Sequence, residues 1–341
     1  MKTIFKTLIL TVMSTTVNAQ VQDYATDAHL DQGVKDFLTV LNTSGGPGLE
    51  TLSKEDARQV LIGAQEAFEV DLSGIDESEK TIHSDGYEVK LNIVRPSGVK
   101  GELPVFVFIH GGGWILGDYP THKRLVRDLV VRSGYVGVFV NYTPSPEAQF
   151  PVAINEIYAA TKWVAEHGKE INVDGSRLAV VGNSVGGNMT AVTALRAKAE
   201  NGPKIKAQIL LWPVTDATFS QESYQKFASD RFLTVPIMKW MWDQYTTDPK
   251  ERKSIYASPL QASIDELKGL PPAVIMVAEN DILRDEGEAY GRKLDQAGVE
   301  VTTVRYNGTI HDFGLLNALA DQPSTKAMLD HAAAELKKYL K

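Results

Sequence analysis

The sequence predicts an α/β fold in which a mostly parallel central sheet is covered by helices on both faces. Two near-continuous apolar runs are typical of strands buried on both sides: LPVFVFIH at 103–110 and YVGVFVNY at 135–142. From about residue 79 onward, strand patterns alternate with helical ones, and this order favours parallel pairing. Of the 341 residues, 43% are hydrophobic, which is enough for a large core.

The individual elements follow from local patterns. Residues 20–75 are predicted to be helical and amphipathic, with KEDARQVLIGAQEAFEV as the clearest stretch. YEVKLNIVRP alternates apolar and polar residues and predicts the first strand, and Pro151 suits the first turn of a helix through AINEIYAATKWVAEHG. The remaining predictions, in chain order, are a strand at RLAVVG, a helix over 184–199, strands at KAQILLW and PAVIMVA, a helix over 285–297, a strand at VEVTTVRY and a helix over 324–340.

One segment interrupts this alternation. Residues 214–260 lie between two predicted core strands and contain the helical, aromatic-rich stretch VPIMKWMWDQYTTDPKERKS. We therefore divide the chain into a signal peptide (1–19), an N-terminal helical cap segment (20–75), an α/β domain (76–213 and 261–341) and a cap insertion (214–260). The two cap parts are expected to form a lid above the sheet.

The first residues have the layout of a secretory signal peptide. Lys2 and Lys6 supply the positive start, residues 7–17 the apolar stretch, and VNA at 17–19 a cleavage site before Gln20. A membrane anchor is the alternative, but this apolar stretch is well short of the roughly 20 residues that span a bilayer. The sequence therefore predicts export to the periplasm or the medium, with no stable membrane insertion.

Charge and cysteine content exclude several classes of function. The formal net charge is −8, whereas a nucleic-acid-binding protein usually presents a basic face, so no nucleic-acid partner is expected. The chain has no cysteine, which suits an oxidising compartment. That absence also rules out a thiol nucleophile, a cysteine zinc site and a disulfide framework.

A glycine-flanked serine follows the predicted strand RLAVVG. The residues GNSVG at 182–186 fit the nucleophile elbow Gly-x-Ser-x-Gly, in which a sharp strand-to-helix turn exposes the serine hydroxyl. The helix that begins there points its amide groups and its positive dipole end toward Ser184. A phosphate-binding loop is the alternative, but the stretch lacks the lysine of a P-loop and the spacing of a dinucleotide fingerprint.

A second motif, HGGGW at 110–114, directly follows the apolar run PVFVFI. Three consecutive glycines leave backbone N–H groups free to face a ligand oxygen, as an oxyanion hole requires. A merely flexible loop is the alternative. The presence of both motifs in the appropriate order favours the oxyanion hole.

Seven stretches together resemble the hormone-sensitive-lipase-like branch of the α/β-hydrolase esterases. They are HGGGWILGD, NYTPSPEAQFP, GNSVGGN, LWPVTD, ASPL, ENDILRDEGEAY and GTIHDF, and they follow the order of the family. The resemblance extends from about residue 79 to the end of the chain. It implies an α/β-hydrolase fold with a helical cap, and carboxylic-ester hydrolysis by a serine nucleophile.

A serine nucleophile needs a base, and in this fold the triad follows the chain order serine, acid, histidine. Two histidines follow Ser184. His331 falls inside the predicted last helix, where packing or exposure explains it. His311 lies in the loop YNGTIHDFG after a strand and is therefore the predicted base.

The acid is expected in a loop between Ser184 and His311. Asp281 directly follows PAVIMVAEN at the end of a core strand, and the resemblance to the family pattern DPLRDE selects the same residue. Asp285 is the alternative, but it lies where a helix begins and is expected to be its N-cap. Asp312 is expected to be structural, because sequence neighbours rarely face each other.

The resemblance implies that the backbone N–H groups of Gly112, Gly113 and Val185 form the oxyanion hole. Asn183 departs from the family, which usually has Asp or Glu at this position. An amide can still act as a hydrogen-bonding prop, although it carries no charge. The departure bears on the subgroup of the family and on the pH dependence of activity, and it leaves the predicted triad unchanged.

The predicted function is a carboxylesterase that cleaves short-chain acyl esters through an acyl-enzyme. No metal or organic cofactor is expected, because backbone dipoles meet the developing charge. The expected partner is a small-molecule ester, and the sequence indicates no oligomeric state. An amidase or peptidase with the same triad is one alternative. A ligand-binding protein on the same scaffold, like the plant hormone receptors, is another, but those lack the triad histidine whereas His311 is present.

Aromatic residues are expected near the site. Trp114 is predicted to line the substrate pocket, and Trp240, Trp242 and Tyr245 to supply aromatic groups of the lid. The alternative is that these rings only pack the lid onto the body.

Overall fold

A single eight-stranded sheet organises the part of the chain that the computed structural model describes, residues 24–341. The strands are β1 (Ile75–Ser84), β2 (Tyr87–Pro96), β3 (Leu103–Ile109), β4 (Val136–Asn141), β5 (Val173–Asn183), β6 (Ile205–Leu211), β7 (Ala273–Asn280) and β8 (Val301–Ile310). They lie in the order β1-β2-β4-β3-β5-β6-β7-β8. The β1–β2 and β2–β4 pairs are antiparallel and all other pairs are parallel, so the predicted mostly parallel sheet is confirmed.

Helices connect most of the strands. Within the described residues they are α1 (Gln32–Thr43), α2 (Lys54–Glu66), α3 (Tyr119–Ser133), α4 (Val152–His167), α5 (Val185–Ala199), α6 (Glu222–Lys226), α7 (Val235–Tyr245), α8 (Pro249–Arg252), α9 (Ile264–Leu267), α10 (Arg284–Gln296) and α11 (Pro323–Tyr339). The predicted strands are present within four residues of the predicted ends, and the helices predicted over 184–199, 285–297 and 324–340 are present within one residue.

Strand β3 shows why the sheet is covered on both faces. Val105 and Val107 join the core formed with α4 and α5, whereas Phe106 and Phe108 join the core formed with α3 and α11. All four side chains are fully buried. Alternating residues of one strand therefore serve two separate helical layers, and the run reads as continuously apolar for that reason.

Two of the longer elements, β1 and α3, are absent from the sequence predictions. Strand β1 (Ile75–Ser84) is an edge strand with mostly exposed, charged side chains, so it lacks the apolar alternation that marks the others. Helix α3 (Tyr119–Ser133) begins with a capping box between Asp118 and Thr121 and ends at Gly134 in a left-handed conformation. Both end signals are in the sequence, although the sequence predictions do not include this helix.

The prediction that Asp285 is the N-cap of α10 is wrong. The helix begins at Arg284, its N-cap is Leu283, and Asp285 lies inside the first turn. The Asp285 carboxylate there accepts hydrogen bonds from the Ser223 amide and from Arg284. An acid in the first turn still suits the helix dipole, although it caps no amide of its own helix.

The two predicted cap parts contact each other. Residues 24–75 contain α1 and α2, and residues 214–260 contain α6, α7 and α8. A buried ion pair joins Asp27 Oδ2 to Arg231 at 2.7 Å, and the rings of Phe37 and Phe232 lie 6.0 Å apart. These two segments, about 200 positions apart in the chain, therefore pack against each other; we call them together the cap, and a lid role for them stays a prediction.

The predicted signal peptide, residues 1–19, lies outside the described residues. Among residues 24–341, none of the helices combines the length and the apolarity needed to cross a membrane.

Candidate active site

Four loops meet at the carboxyl end of the parallel sheet, where α/β folds usually bind ligands. His110 follows β3, Ser184 follows β5, Asp281 follows β7 and His311 follows β8. The sheet topology makes these strands near neighbours, since β3 pairs with β5 and β7 with β8. Residues more than 200 positions apart are thereby brought to one edge.

Ser184 occupies a strained turn between β5 and α5. Its backbone has φ 56° and ψ −123°, a combination that a residue with a side chain rarely adopts. The turn is held from both sides, because the Ser184 amide donates to the Leu211 carbonyl at 2.8 Å and its carbonyl accepts from Val214 at 3.2 Å. A Cβ at Gly186 would overlap the carbonyl oxygen of Ile109, so this position requires glycine.

His311 joins the other two predicted triad residues. Its Nε2 lies 3.0 Å from Ser184 Oγ, and its Nδ1 lies 2.7 Å from Asp281 Oδ2. The three residues are only 1–4% exposed. Because a carboxylate accepts but cannot donate, Nδ1 carries the proton and Nε2 is free to accept the serine hydroxyl proton.

The electrostatic setting favours a charged His311. Burial opposes protonation of the imidazole, but the carboxylates of Asp281 and Asp312 outweigh it and raise the pKa of His311 above its usual value. A stabilised imidazolium is the form that a general base reaches after it takes a proton. The ring is thus suited to both halves of a proton-shuttling cycle.

Backbone contacts fix the acid loop. Asp281 Oδ1 accepts the Leu283 amide at 3.0 Å, which leaves Oδ2 for His311. The preceding Asn280 donates to the carbonyls of His29 and Thr309. The orientation of Asp281 is therefore set by the loop itself and by the N-terminal segment.

The second histidine after the serine lies elsewhere. His331 lies in α11, where Nδ1 is 3.1 Å from the Tyr306 hydroxyl and Nε2 is 3.7 Å from Glu335. These contacts account for the side chain without any role at the elbow.

The glycine loop after β3 is pressed against the elbow. The Gly111 amide donates to Asn183 Oδ1 at 3.0 Å, and the amides of Ile115 and Leu116 donate to the Gly112 carbonyl. Gly112 and Gly113 have φ 100° and 63°, and a Cβ at Gly112 would overlap the Leu116 carbonyl oxygen. Side chains are thus excluded by both backbone conformation and space.

Three amides are available to a ligand at this edge. Within residues 24–341, the N–H groups of Gly112, Gly113 and Val185 donate to no protein acceptor. Val185 is also the first residue of α5, where the helix dipole places partial positive charge. Such amides are what a developing oxyanion needs.

His110 supports the glycine loop from below. Its ring lies between Phe139 and Tyr142, with centroids 5.2 Å and 4.1 Å away and nearly parallel planes. Nδ1 contacts the Gly111 carbonyl at 2.8 Å, and burial lowers the pKa of His110 to about 4. This histidine therefore stays neutral, and its ring packs against the glycine loop.

The cap helix α7 packs on the same loop. Trp114 is fully buried, with its ring stacked on Tyr245 at 4.1 Å and tilted against Trp242 at 4.7 Å. The Met241 thioether lies against Gly113, where a Cβ would overlap it. Packing of the lid onto the body accounts for these rings, and a contact of Trp114 with substrate stays a prediction.

Asp312 departs from the expectation that it does not face its neighbour. Its Oδ2 lies 3.8 Å from His311 Nε2, and its Oδ1 accepts from Trp212 Nε1 at 2.7 Å and from Asn183 Nδ2 at 3.2 Å. Asn183 thus props both the glycine loop and Asp312. A sequence clue was present, since Asp is one of the few residues that tolerate the left-handed conformation that turns it back.

The chain is similar to proteins that are named as esterases and ester hydrolases. A family model described as alpha/beta hydrolase fold matches residues 106–315. The crystal structure of a thermostable esterase from Pseudomonas putida is 61% identical, with a TM-score of 0.92, and covers 92% of this chain and 99% of that chain. The carboxylic ester hydrolase LipN of Mycobacterium tuberculosis is 37% identical over 82% of this chain and 75% of that protein. An ethyl acetate hydrolase of Pseudomonas putida is 32% identical over 70% of this chain and 75% of that protein.

Proposed function

The chain belongs to the hormone-sensitive-lipase-like branch of the α/β hydrolases and is a carboxylic-ester hydrolase, and from this premise we propose that it cleaves short-chain acyl esters through Ser184, His311 and Asp281. The observation that carries the proposal is the bridge made by His311, 3.0 Å from the Ser184 hydroxyl and 2.7 Å from the Asp281 carboxylate.

In the first half of the reaction, Ser184 Oγ attacks the ester carbonyl while His311 Nε2 takes its proton. Asp281 holds the imidazole in the tautomer that accepts at Nε2 and stabilises the imidazolium. The amides of Gly112, Gly113 and Val185 receive the negative charge that forms on the carbonyl oxygen. Donors fixed in advance in this way contribute on the order of 3–4 kcal/mol each to transition-state stabilisation.

In the second half, His311 gives its proton to the leaving alcohol, and an acyl-enzyme forms on Ser184. Water then enters, His311 removes its proton, and the acid is released. Because the base must be neutral at the start, kcat/KM rises with pH as His311 loses its proton. The raised pKa of His311 places this rise above the value of about 6.5 for free histidine.

The preference for short acyl chains is supported by the cap. Helix α7 lies directly on the glycine loop through Met241 and the ring cluster of Trp114, Trp242 and Tyr245. A site covered in this way, with triad side chains at most 4% exposed, suits small dissolved esters better than an oil surface. The similarity to an ethyl acetate hydrolase points in the same direction.

The test is an activity series on the wild-type chain and Ser184→Ala. We expect hydrolysis of p-nitrophenyl acetate and butyrate, little hydrolysis of the matching anilides, and a loss of at least about 10⁴-fold in kcat for Ser184→Ala. Faster turnover of a long-chain triglyceride emulsion than of dissolved butyrate ester would contradict the chain-length proposal. Faster turnover of anilides would favour an amidase.

Export through residues 1–19 is also part of the proposal. It is supported by the charged start, the apolar stretch and the small-residue site before Gln20, and by the absence of cysteine. Sequencing the N-terminus of the protein made in a bacterium with a Sec pathway tests it. A mature chain beginning at Gln20 outside the cytoplasm is expected, and an uncut chain kept in the cytoplasm contradicts it.

A further inference from the structure

A second buried carboxylate lies beside the imidazole of His311. Asp312 Oδ2 is 3.8 Å from Nε2, the nitrogen that faces Ser184, whereas Asp281 contacts Nδ1. Asp312 is 6% exposed. The ring of His311 therefore has one carboxylate near each of its two nitrogens.

The backbone explains how a sequence neighbour can face this ring. Asp312 has φ 59°, in the left-handed region, and its carbonyl accepts the amides of Leu315 and Leu316 at 2.8 and 2.9 Å. This tight turn brings the carboxylate back toward His311. At 3.8 Å the contact with Nε2 is Coulombic rather than a hydrogen bond, so it does not compete with Ser184 for the proton.

The two oxygens of Asp312 have different surroundings. Oδ1 accepts both donors, Trp212 Nε1 and Asn183 Nδ2, while no other described residue donates to Oδ2. The side chain is thus anchored through one oxygen and presents the other to the ring. The neutral amide of Asn183 suits this arrangement, because a carboxylate at position 183 would repel Asp312 across about the same distance.

We propose that Asp312 is a positioning residue for the reaction, whose charge favours the imidazolium of His311 during the interval between proton removal from Ser184 and proton donation to the leaving alcohol. The proposal rests on the proposed function. Asp281 is the other charged group that faces the ring, and the remaining contacts of the cluster, Ser184, Asn183 and Trp212, are uncharged. Asp312 acts through His311 and need not touch the substrate.

The expected consequence has a definite sign. Without the charge of Asp312 the imidazolium is less stable, so the neutral base persists to lower pH and the acid limb of kcat/KM moves down. Proton removal from Ser184 is then less favourable, so the plateau rate falls. We expect a shift of about one pH unit and a fall of about tenfold in plateau kcat for Asp312→Asn, since one unit of pKa is a factor of ten.

The experiment measures kcat/KM for p-nitrophenyl butyrate from about pH 5 to about pH 9, with the urea unfolding midpoint of each variant. Asp312→Asn keeps the shape and an acceptor oxygen for Trp212. Asp312→Glu keeps the charge and is expected to leave the acid limb close to its wild-type position, even where activity is lower. A merely structural role lowers the midpoint and the activity at every pH without moving the limb.

The outcomes separate this inference from the proposed function. An inactive wild-type chain, or an active Ser184→Ala, removes the proposed function itself. An active, folded Asp312→Asn with an unmoved acid limb, or an Asp312→Glu shifted as far as Asp312→Asn, overturns the role of Asp312 and leaves the triad intact. Where Asp312→Asn does not fold, Asp312→Ser, which also removes the charge, is measured in the same way. An acid limb that moves to lower pH supports the inference, and an unmoved limb overturns it.

Discussion

The body and the cap of this molecule are each stabilised by a different kind of interaction. In the body, Ser184, Asp281 and His311 are fixed by hydrogen bonds at the ends of buried parallel strands. In the cap, short helices pack through rings, a thioether and one buried ion pair between Asp27 and Arg231. Directional bonds set atoms to within fractions of an ångström, whereas apolar packing sets surfaces. Substitutions in the body are therefore expected to change the rate of chemistry, and those in the cap to change stability and substrate range.

The largest effect is expected from the acid of the triad. Asp281→Asn should lower kcat for p-nitrophenyl butyrate by about 10⁴-fold, because the amide no longer holds the tautomer of His311 that accepts at Nε2. Asp285→Asn is the matched control, since the Asp285 carboxylate pairs with Arg284 and the Ser223 amide instead. Steady-state kinetics of both variants checks this. A greater loss of kcat in Asp285→Asn than in Asp281→Asn would show that Asp281 is not the acid of the triad.

The next largest effect is expected where the glycine loop of the body contacts the cap. Gly112→Ala should lower kcat/KM by about 10²- to 10³-fold, because the new Cβ meets the backbone carbonyl of Leu116 and distorts an oxyanion donor. Gly113→Ala should lose less, since its new Cβ meets the flexible Met241 side chain.

Adding Met241→Ala to each glycine variant sharpens that comparison. The second substitution should recover part of the loss in Gly113→Ala and none in Gly112→Ala, because it opens space only at the cap contact. Double-mutant kinetics measures both effects. Equal recovery in the two backgrounds would mean that the cap does not press on the loop at Gly113.

The smallest effect on chemistry is expected inside the cap. Trp242→Ala should lower the free energy of unfolding by about 3 kcal/mol, because it empties a fully buried site next to Trp114. Its kcat for p-nitrophenyl acetate should fall by less than about tenfold. Tyr245→Phe is the control, since the Tyr245 hydroxyl has no hydrogen-bond partner among residues 24–341 and its removal should be nearly neutral. Urea unfolding measures the stability of each variant, and initial rates measure its activity. A larger rate loss in Trp242→Ala than in Gly112→Ala would contradict the expectation that substitutions in the cap affect chemistry less than those in the body.

The difference between body and cap also explains which features of the fold and the site can be predicted from the sequence. Parallel strands buried on two faces have continuous apolar runs, so β3 to β7 and the residues after them can be predicted from the sequence alone. The exposed edge strand β1 has no such pattern. The approach of Asp312 to His311 was not predicted, because its position depends on a left-handed backbone and on Trp212, which lies 100 residues away in the chain. The contact of Met241 with Gly113 depends on how the cap docks, and no local pattern encodes that.

Covalent trapping of the nucleophile tests the central claim most directly. A p-nitrophenyl alkylphosphonate, whose phosphorus accepts a serine oxygen and expels p-nitrophenol, should release one equivalent of p-nitrophenol as activity disappears. Peptide mass spectrometry should then locate the phosphonyl group on Ser184, and Ser184→Ala should take up none. A phosphonyl group on any other residue, or equal uptake by Ser184→Ala, would contradict the account.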